Sequence, residues 1–250
     1  MSSTNFARGN EPEPYSDFAA ELVRLKVDVF VAGGAGAVRA AKNASATIRI
    51  VMGTVNDPVA LGYVASLAHP GGNITGISNL SPELSAKRLE LVKEVVPKAT
   101  RIAVHAYRSE AMRTSIKETE DAATFLKIKM QLLEISAPDQ LESLFDAAKK
   151  ERADALVQIQ ANFLTPYQRR IIDFAAKNRL PAMFNSQVDV EAGGLMSYGL
   201  DRADINRQIA VMVDKILKGR KPADIPVEQP KKFEFAINLQ IAKEIGLDPA

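Results

Sequence analysis

Cysteine is absent from this 250-residue chain, which removes disulfides, thiol nucleophiles and thiolate zinc sites from consideration. Tryptophan is absent too, and aromatic residues make up 6% of the chain. The two histidines, His69 and His105, are too few for a His-rich metal centre. No apolar run approaches the roughly 20 residues needed to span a bilayer. Neither sign of charge is in excess: 32 Lys and Arg stand against 30 Asp and Glu. That balance gives no electrostatic case for nucleic acid or a membrane surface as partner. Gly-x-Ser-x-Gly, Walker A and His-Glu-x-x-His patterns are missing, and no Ser/His/Asp set can be assembled. The opening MSSTNFARGNEPEPYS is polar and lacks the apolar core of a secretory leader.

What is present is an ordinary globular composition, 46% hydrophobic and 25% charged, arranged in alternating segments. Short β-branched runs at Val27–Val31, Ile48–Met52 and Asn73–Ser78 read as buried strands of a parallel sheet. Helical spacing separates the first two at Ala37–Lys42 and recurs over Val59–Ala68, which ends at His69-Pro70-Gly71-Gly72. Pro82–Val96 is amphipathic, with proline in the first turn. A second series starts at Arg101–His105. Strands follow at Ile128–Ile135, Ala155–Ile159, Pro181–Phe184 and Leu195–Ser197, with helices at about Glu110–Phe125, Pro138–Lys150 and Thr165–Asn178. A last pair of helices flanks Phe233–Ile237. The alternation predicts an α/β fold with mostly parallel sheets. The second series supplies a full set of strands, whereas the first has three. Lys221–Pro230 is proline-rich and reads as an extended connector.

In open α/β sheets, ligands sit beyond the carboxyl ends of the strands, so the loops there are the candidate site. Gly33-Gly34-Ala35-Gly36 follows a strand and opens a helix, whose free N–H groups suit an anion. The dinucleotide spacing GxGxxG is not met, and a tight turn without ligand is an equally physical use of these glycines. Asp57 is a natural N-cap with Pro58 at the first helical position. Thr75, Ser78 and Asn79 are expected to close the third strand at the same crevice. In the second series, His105 ends a strand and reads as a polar hinge or loop residue. Tyr107 and Arg108 can stack on or pair with a ligand, while Ser109 and Glu110 suit a helix start. Gln158, Gln160 and Asn162, and again Asn185 and Gln187, place amides where a buried core would prefer apolar groups, as a reversible binder of polar molecules needs. Asp189 and Glu191 read as surface charges, and Gly193-Gly194 as a turn.

Four segments carry a resemblance: VNDPVALGYVASLAHPGGNITGIS, LSAKRLELVKEVVPKATRIAV, EAGGLMSYG and ILKGRKPADIPVEQPKKFEFAINLQIAKEIGL. They resemble the substrate-binding components of ABC importers whose better-known members bind aromatic amino acids. Asn56-Asp57-Pro58 and Gly193–Gly199 are specific pieces of the match. The resemblance implies a type I periplasmic-binding-protein fold, with two Rossmann-like (flavodoxin-like) lobes that close on a small molecule by hinge bending. It puts 1–100 with 200–222 in the first lobe and 101–199 with 223–250 in the second. It also implies export to the periplasm, a membrane permease as partner, and no cofactor or catalysis. The family has a strand, a helix and a strand before the position of Phe18, so we expect an N-terminally truncated copy with an incomplete first lobe.

The ligand the resemblance implies is an amphiphile such as an amino acid. Its carboxylate would meet Gly34, Ala35 and Gly36, its ammonium Asp57 or Glu110, and its side chain Tyr107. Asn56, Thr75, Ser78, Arg108, Ser109, Gln160 and Asn185 complete the expected lining. Two other readings stand beside it: an intracellular ligand-sensing regulatory domain of the same fold, and an α/β enzyme such as a racemase.

Overall fold

The computed structural model describes residues 12–79, 81–108, 112–159 and 166–247. The chain divides into two compact units, Met1–Leu80 with Asp201–Lys231 and Ser81–Leu200 with Lys232–Ala250.

The first unit is built on a parallel sheet of three strands in the order β1-β2-β3: Val29–Gly33, Arg49–Val55 and Ile74–Ser78. Helix α1 (Pro12–Arg24) precedes β1, and α2 (Gly34–Ala44) joins β1 to β2. Phe30, Ala32, Ile50 and Met52 form one core with Val38 and Ala41 of α2. Helix α8 (Arg202–Leu217) also packs on β2, where Ile209 Cδ1 would lie 3.3 Å from a Cβ added at Gly53. Its start is fixed by Asp201, whose carboxylate accepts from the Asp204 N–H at 2.8 Å.

The second unit has six strands in the order β5-β4-β6-β7-β8-β9. They are β4 (Arg101–Tyr107), β5 (Lys129–Ile135), β6 (Ala155–Gln158), β7 (Ala182–Phe184), β8 (Met196–Leu200) and β9 (Phe233–Ile237). All neighbours are parallel except β8 and β9. Helices α3 (Ser81–Val95), α4 (Arg113–Phe125), α5 (Leu141–Lys150), α6 (Gln168–Lys177), α7 (Gln187–Glu191) and α9 (Leu239–Ile245) complete it. Alternation along β4 splits the core in two. Ile102, Val104 and Ala106 join Leu89 and Val92 of α3, while Ala103 joins Leu144 and Phe145 of α5 and Ile171 of α6.

The unit boundaries differ from those the sequence suggested. Helix α3 belongs to the second unit, because Leu89 and Val92 sit in its core. The proline-rich connector belongs to the first: Ile225 and Val227 are buried, and Glu228 bridges to Ile77 beside β3. The helix expected over Val59–Ala68 does not form. One turn closes with the Leu61 N–H on the Asp57 carbonyl at 3.1 Å, and Gly62 then turns to φ 66°. Beyond it Val64 is buried while the Tyr63 hydroxyl donates to the Ala35 carbonyl, so these contacts override the helical spacing.

Candidate functional site

In the first unit the candidate residues lie where parallel strands end. Helix α2 starts directly after β1, with Gly34 at φ 81°, a left-handed conformation that favours glycine. Its N-cap Gly33 supplies no side-chain bond, and the first turn holds no acidic residue. The N–H groups around Gly34, Ala35 and Gly36 therefore lack the side-chain cap that most helices carry. Gly36 rests against the Tyr15 ring of α1, 3.5 Å from where its Cβ would be.

At the end of β2 the backbone is strained twice within four residues, at Thr54 (φ 50°) and Asp57 (φ 38°). Non-glycine residues rarely adopt such angles, and they collect at ligand clamps and switches. Asp57 is exposed, and one of its carboxylate oxygens accepts from the Ala60 N–H at 2.9 Å. The Asn56 Oδ1 is buried without a hydrogen-bond partner among the described residues, an acceptor left for a ligand or a water.

Thr75 does not close its strand. It is the second residue of β3, fully buried, and its hydroxyl donates to the Ile225 carbonyl at 2.7 Å. The sequence could not place it so, because its hydroxyl is consumed by a connector 150 residues away. Ser78 does end β3, but it too is buried, with its N–H on the Glu228 carbonyl at 2.9 Å and its hydroxyl 3.5 Å from the same oxygen.

In the second unit Tyr107 ends β4, and Arg108 follows, exposed, with its Nε 3.8 Å from a Glu134 oxygen. Asn185 follows β7, half-buried. Ser186 then caps α7 by accepting from the Val188 N–H at 3.4 Å. Ser109, Glu110, Gln160 and Asn162 lie outside the described residues. Gln158 is not open to a ligand: it is buried and exchanges two amide hydrogen bonds with Gln168 of α6, at 3.0 and 2.8 Å.

His105 is not a loop residue, because β4 runs two residues beyond it. It is fully buried, both ring nitrogens lack partners among the described residues, and burial lowers its pKa from 6.5 to about 4. Asp189 is likewise no surface charge but a buried residue of α7. Two features escaped the sequence reading. Arg88 is buried to 1% exposure, and its signal was a cation on the same helical face as the apolar residues Leu84, Leu89 and Val92 of α3. Gly199 is the other: a Cβ there would lie 2.1 Å from the Asn185 carbonyl oxygen, so only glycine lets β8 pass this close to a candidate site residue. Among the described residues no cluster of His, Asp and Glu has the makings of a metal site, and no helix is long and apolar enough to cross a membrane.

The profile of the family described as ABC transporter substrate binding protein matches residues 5–248. The chain belongs to that family. It is 28% identical over 240 residues to a tyrosine-binding protein of Clostridioides difficile, spanning 95% of this chain and 68% of that protein. Among solved structures, a conserved domain protein from Vibrio cholerae is 29% identical at a TM-score of 0.85, covering 96% of this chain and 80% of its own. A Streptococcus pneumoniae ABC domain in complex with L-Trp matches at the same TM-score of 0.85 and 24% identity, over 96% of this chain and 81% of that one. The fold is that of a type I periplasmic binding protein, with an α/β architecture and parallel-dominated sheets. Substrate-binding proteins of this family act outside the cytoplasmic membrane, bind small molecules and work with ABC transporter permeases. This chain is a substrate-binding protein of that kind.

Proposed function

We propose that this substrate-binding protein takes up an α-amino acid, releases it unchanged to its permease, catalyses no reaction and works in the periplasm. The observation that carries this is the chemistry of the first unit's strand ends. An uncapped helix start at Gly34–Gly36 is suited to a carboxylate, and after the neighbouring strand β2 comes an exposed acid at Asp57 beside the Asn56 oxygen, which has no partner among the described residues. Positive and negative ends of a zwitterion thus have complementary groups. In the second unit Tyr107 offers a ring, with Glu110 a second acid for the ammonium. Arg108, Ser109, Gln160 and Asn185 supply polar contacts. Relatives named for tyrosine binding and solved with L-Trp support the same ligand class. Ser78 and Thr75 serve this site by holding the connector beside β3.

A thermal-shift panel of the L-amino acids, with sugars and nucleosides as controls, tests this. A ligand at a hundred times its dissociation constant stabilises the native state by about 2.7 kcal/mol, a readily seen rise in melting temperature. A rise with an amino acid and none with the controls is expected. Stabilisation by a sugar or nucleoside alone would refute the amino acid reading, and chemical conversion of the added compound would refute the non-catalytic one.

A further inference from the structure

The motif Ser197-Tyr198-Gly199 lies in β8, where Gly199 passes the Asn185 loop, but the ligand chemistry just described uses neither Tyr198 nor the buried cation Arg88. The chain passes between its units at three places, Leu80–Ser81, Leu200–Asp201 and Lys231–Lys232. We propose that Tyr198 and Arg88 form a junction tying together, inside the second unit, the roots of all three connecting segments, and so setting how stiffly those segments hold.

Each root reaches Tyr198 by a separate contact. Helix α3 begins at the first passage, and its Arg88 donates from Nε to the Tyr198 carbonyl at 2.6 Å. Strand β8 carries Tyr198 itself and ends at the second passage. Strand β9 follows the third: Phe235 pairs with Tyr198 in the antiparallel register, and the Phe233 ring stacks on the Tyr198 ring with centroids 6.1 Å apart. The guanidinium is the largest fully buried side chain of the second unit. Burial lowers its pKa to about 10, and the nearby Tyr198 and Asp189 act against that fall, so it stays charged at neutral pH. Its Nη1 has no partner among the described residues.

Such a group is a poor way to gain stability. Taking a cation out of water is costly, and apolar replacements of buried charged groups are often as stable or more so. What the fork supplies is direction. It fixes one carbonyl of β8, two residues before that strand ends at the second passage, against α3 at a point seven residues beyond the first. The inference does not depend on which ligand the protein binds.

The lack of cysteine makes the test direct. Val211→Cys on α8, at a site 52% exposed, and Lys177→Cys on α6 place one spin label on each unit. Pulsed dipolar spectroscopy then reads the distribution of distances between them without any ligand. In that background Arg88→Met is expected to broaden the distribution about twofold through looser connecting segments, while the melting temperature holds or rises. Phe233→Ala, at a residue 36% exposed and safe for folding, is expected to broaden it in the same direction. If Arg88→Met does not fold, the Phe233→Ala distribution decides. A distribution as narrow as the parent's in the deciding variant overturns the proposal, as does broadening accompanied by loss of the near-ultraviolet signature of a packed second unit.

Discussion

His105 shows how one side chain ties stability to pH. It lies in β4 opposite Leu133 of β5 and Gln158 of β6, and Gln158 is already committed to Gln168. Burial holds its pKa at about 4 in the native state, against roughly 6.5 in an unfolded chain. Between those values the unfolded state binds the extra proton. The stabilising contribution is therefore present above pH 6.5 and lost as pH falls toward 4, on the order of 3 kcal/mol in all. Urea unfolding of the protein and of His105→Leu at pH 7.5 and 4.5 checks this. The variant should lose visibly less stability on acidification, and parallel losses would show that His105 is not the sensor. Asp57 carries a second prediction at this scale. Asparagine caps as well as aspartate and tolerates a positive φ, so Asp57→Asn should keep the melting temperature of the free protein. If the carboxylate meets the ligand's ammonium, affinity should fall about tenfold or more, as titration calorimetry would read. Unchanged affinity would leave Asp57 a cap only.

Elements show where local pattern is enough and where it is not. The strands were legible because Val29–Gly33 and Arg49–Val55 are short, rich in β-branched residues and bounded by turns, but β1 is not buried on both faces as expected: it alternates, with Val31 58% exposed. Helices α5 and α6 were legible because their apolar residues recur at helical spacing and are buried, Leu141, Leu144 and Phe145 in one and Ile171, Ile172 and Ala175 in the other. Val59–Ala68 has the same spacing, but Gly62 and the reach of Tyr63 to Ala35 lie outside what periodicity records. Gly199 makes this testable. An added Cβ would meet the Asn185 carbonyl at 2.1 Å, so Gly199→Ala must push β8 and the Asn185 loop apart. The expected loss is about 1–3 kcal/mol of stability, together with weaker ligand binding, both seen in one ligand-dependent melt. A neutral substitution would mean that the loop moves freely and that Asn185 is not held in place for a ligand.

At the level of the whole molecule, the family, the α/β class and the parallel strands of each sheet could be read from sequence, while the antiparallel β9 and the division between units could not. The three strands of the first unit and the parallel set of the second are each local runs. Assigning α3 and the connector depends on which core receives Leu89, Val92, Ile225 and Val227, and no local pattern carries that information. The site was half legible for the same reason. Strand ends are visible in sequence, and Gly34–Gly36, Asn56, Asp57, Tyr107, Arg108 and Asn185 do lie at them. Thr75 and Gln158 are polar residues spent within their own unit, Thr75 on a connector 150 residues away and Gln158 on Gln168 of the next helix. The central claim is that an amino acid is bound and given back intact. Isothermal titration with each of the L-amino acids, L-tyrosine and L-tryptophan first, followed by chromatography of the recovered ligand, decides it. Saturable binding of about one equivalent of at least one of them is expected, with recovery of the same compound. No heat with any of them, or a new product in the eluate, would overturn it.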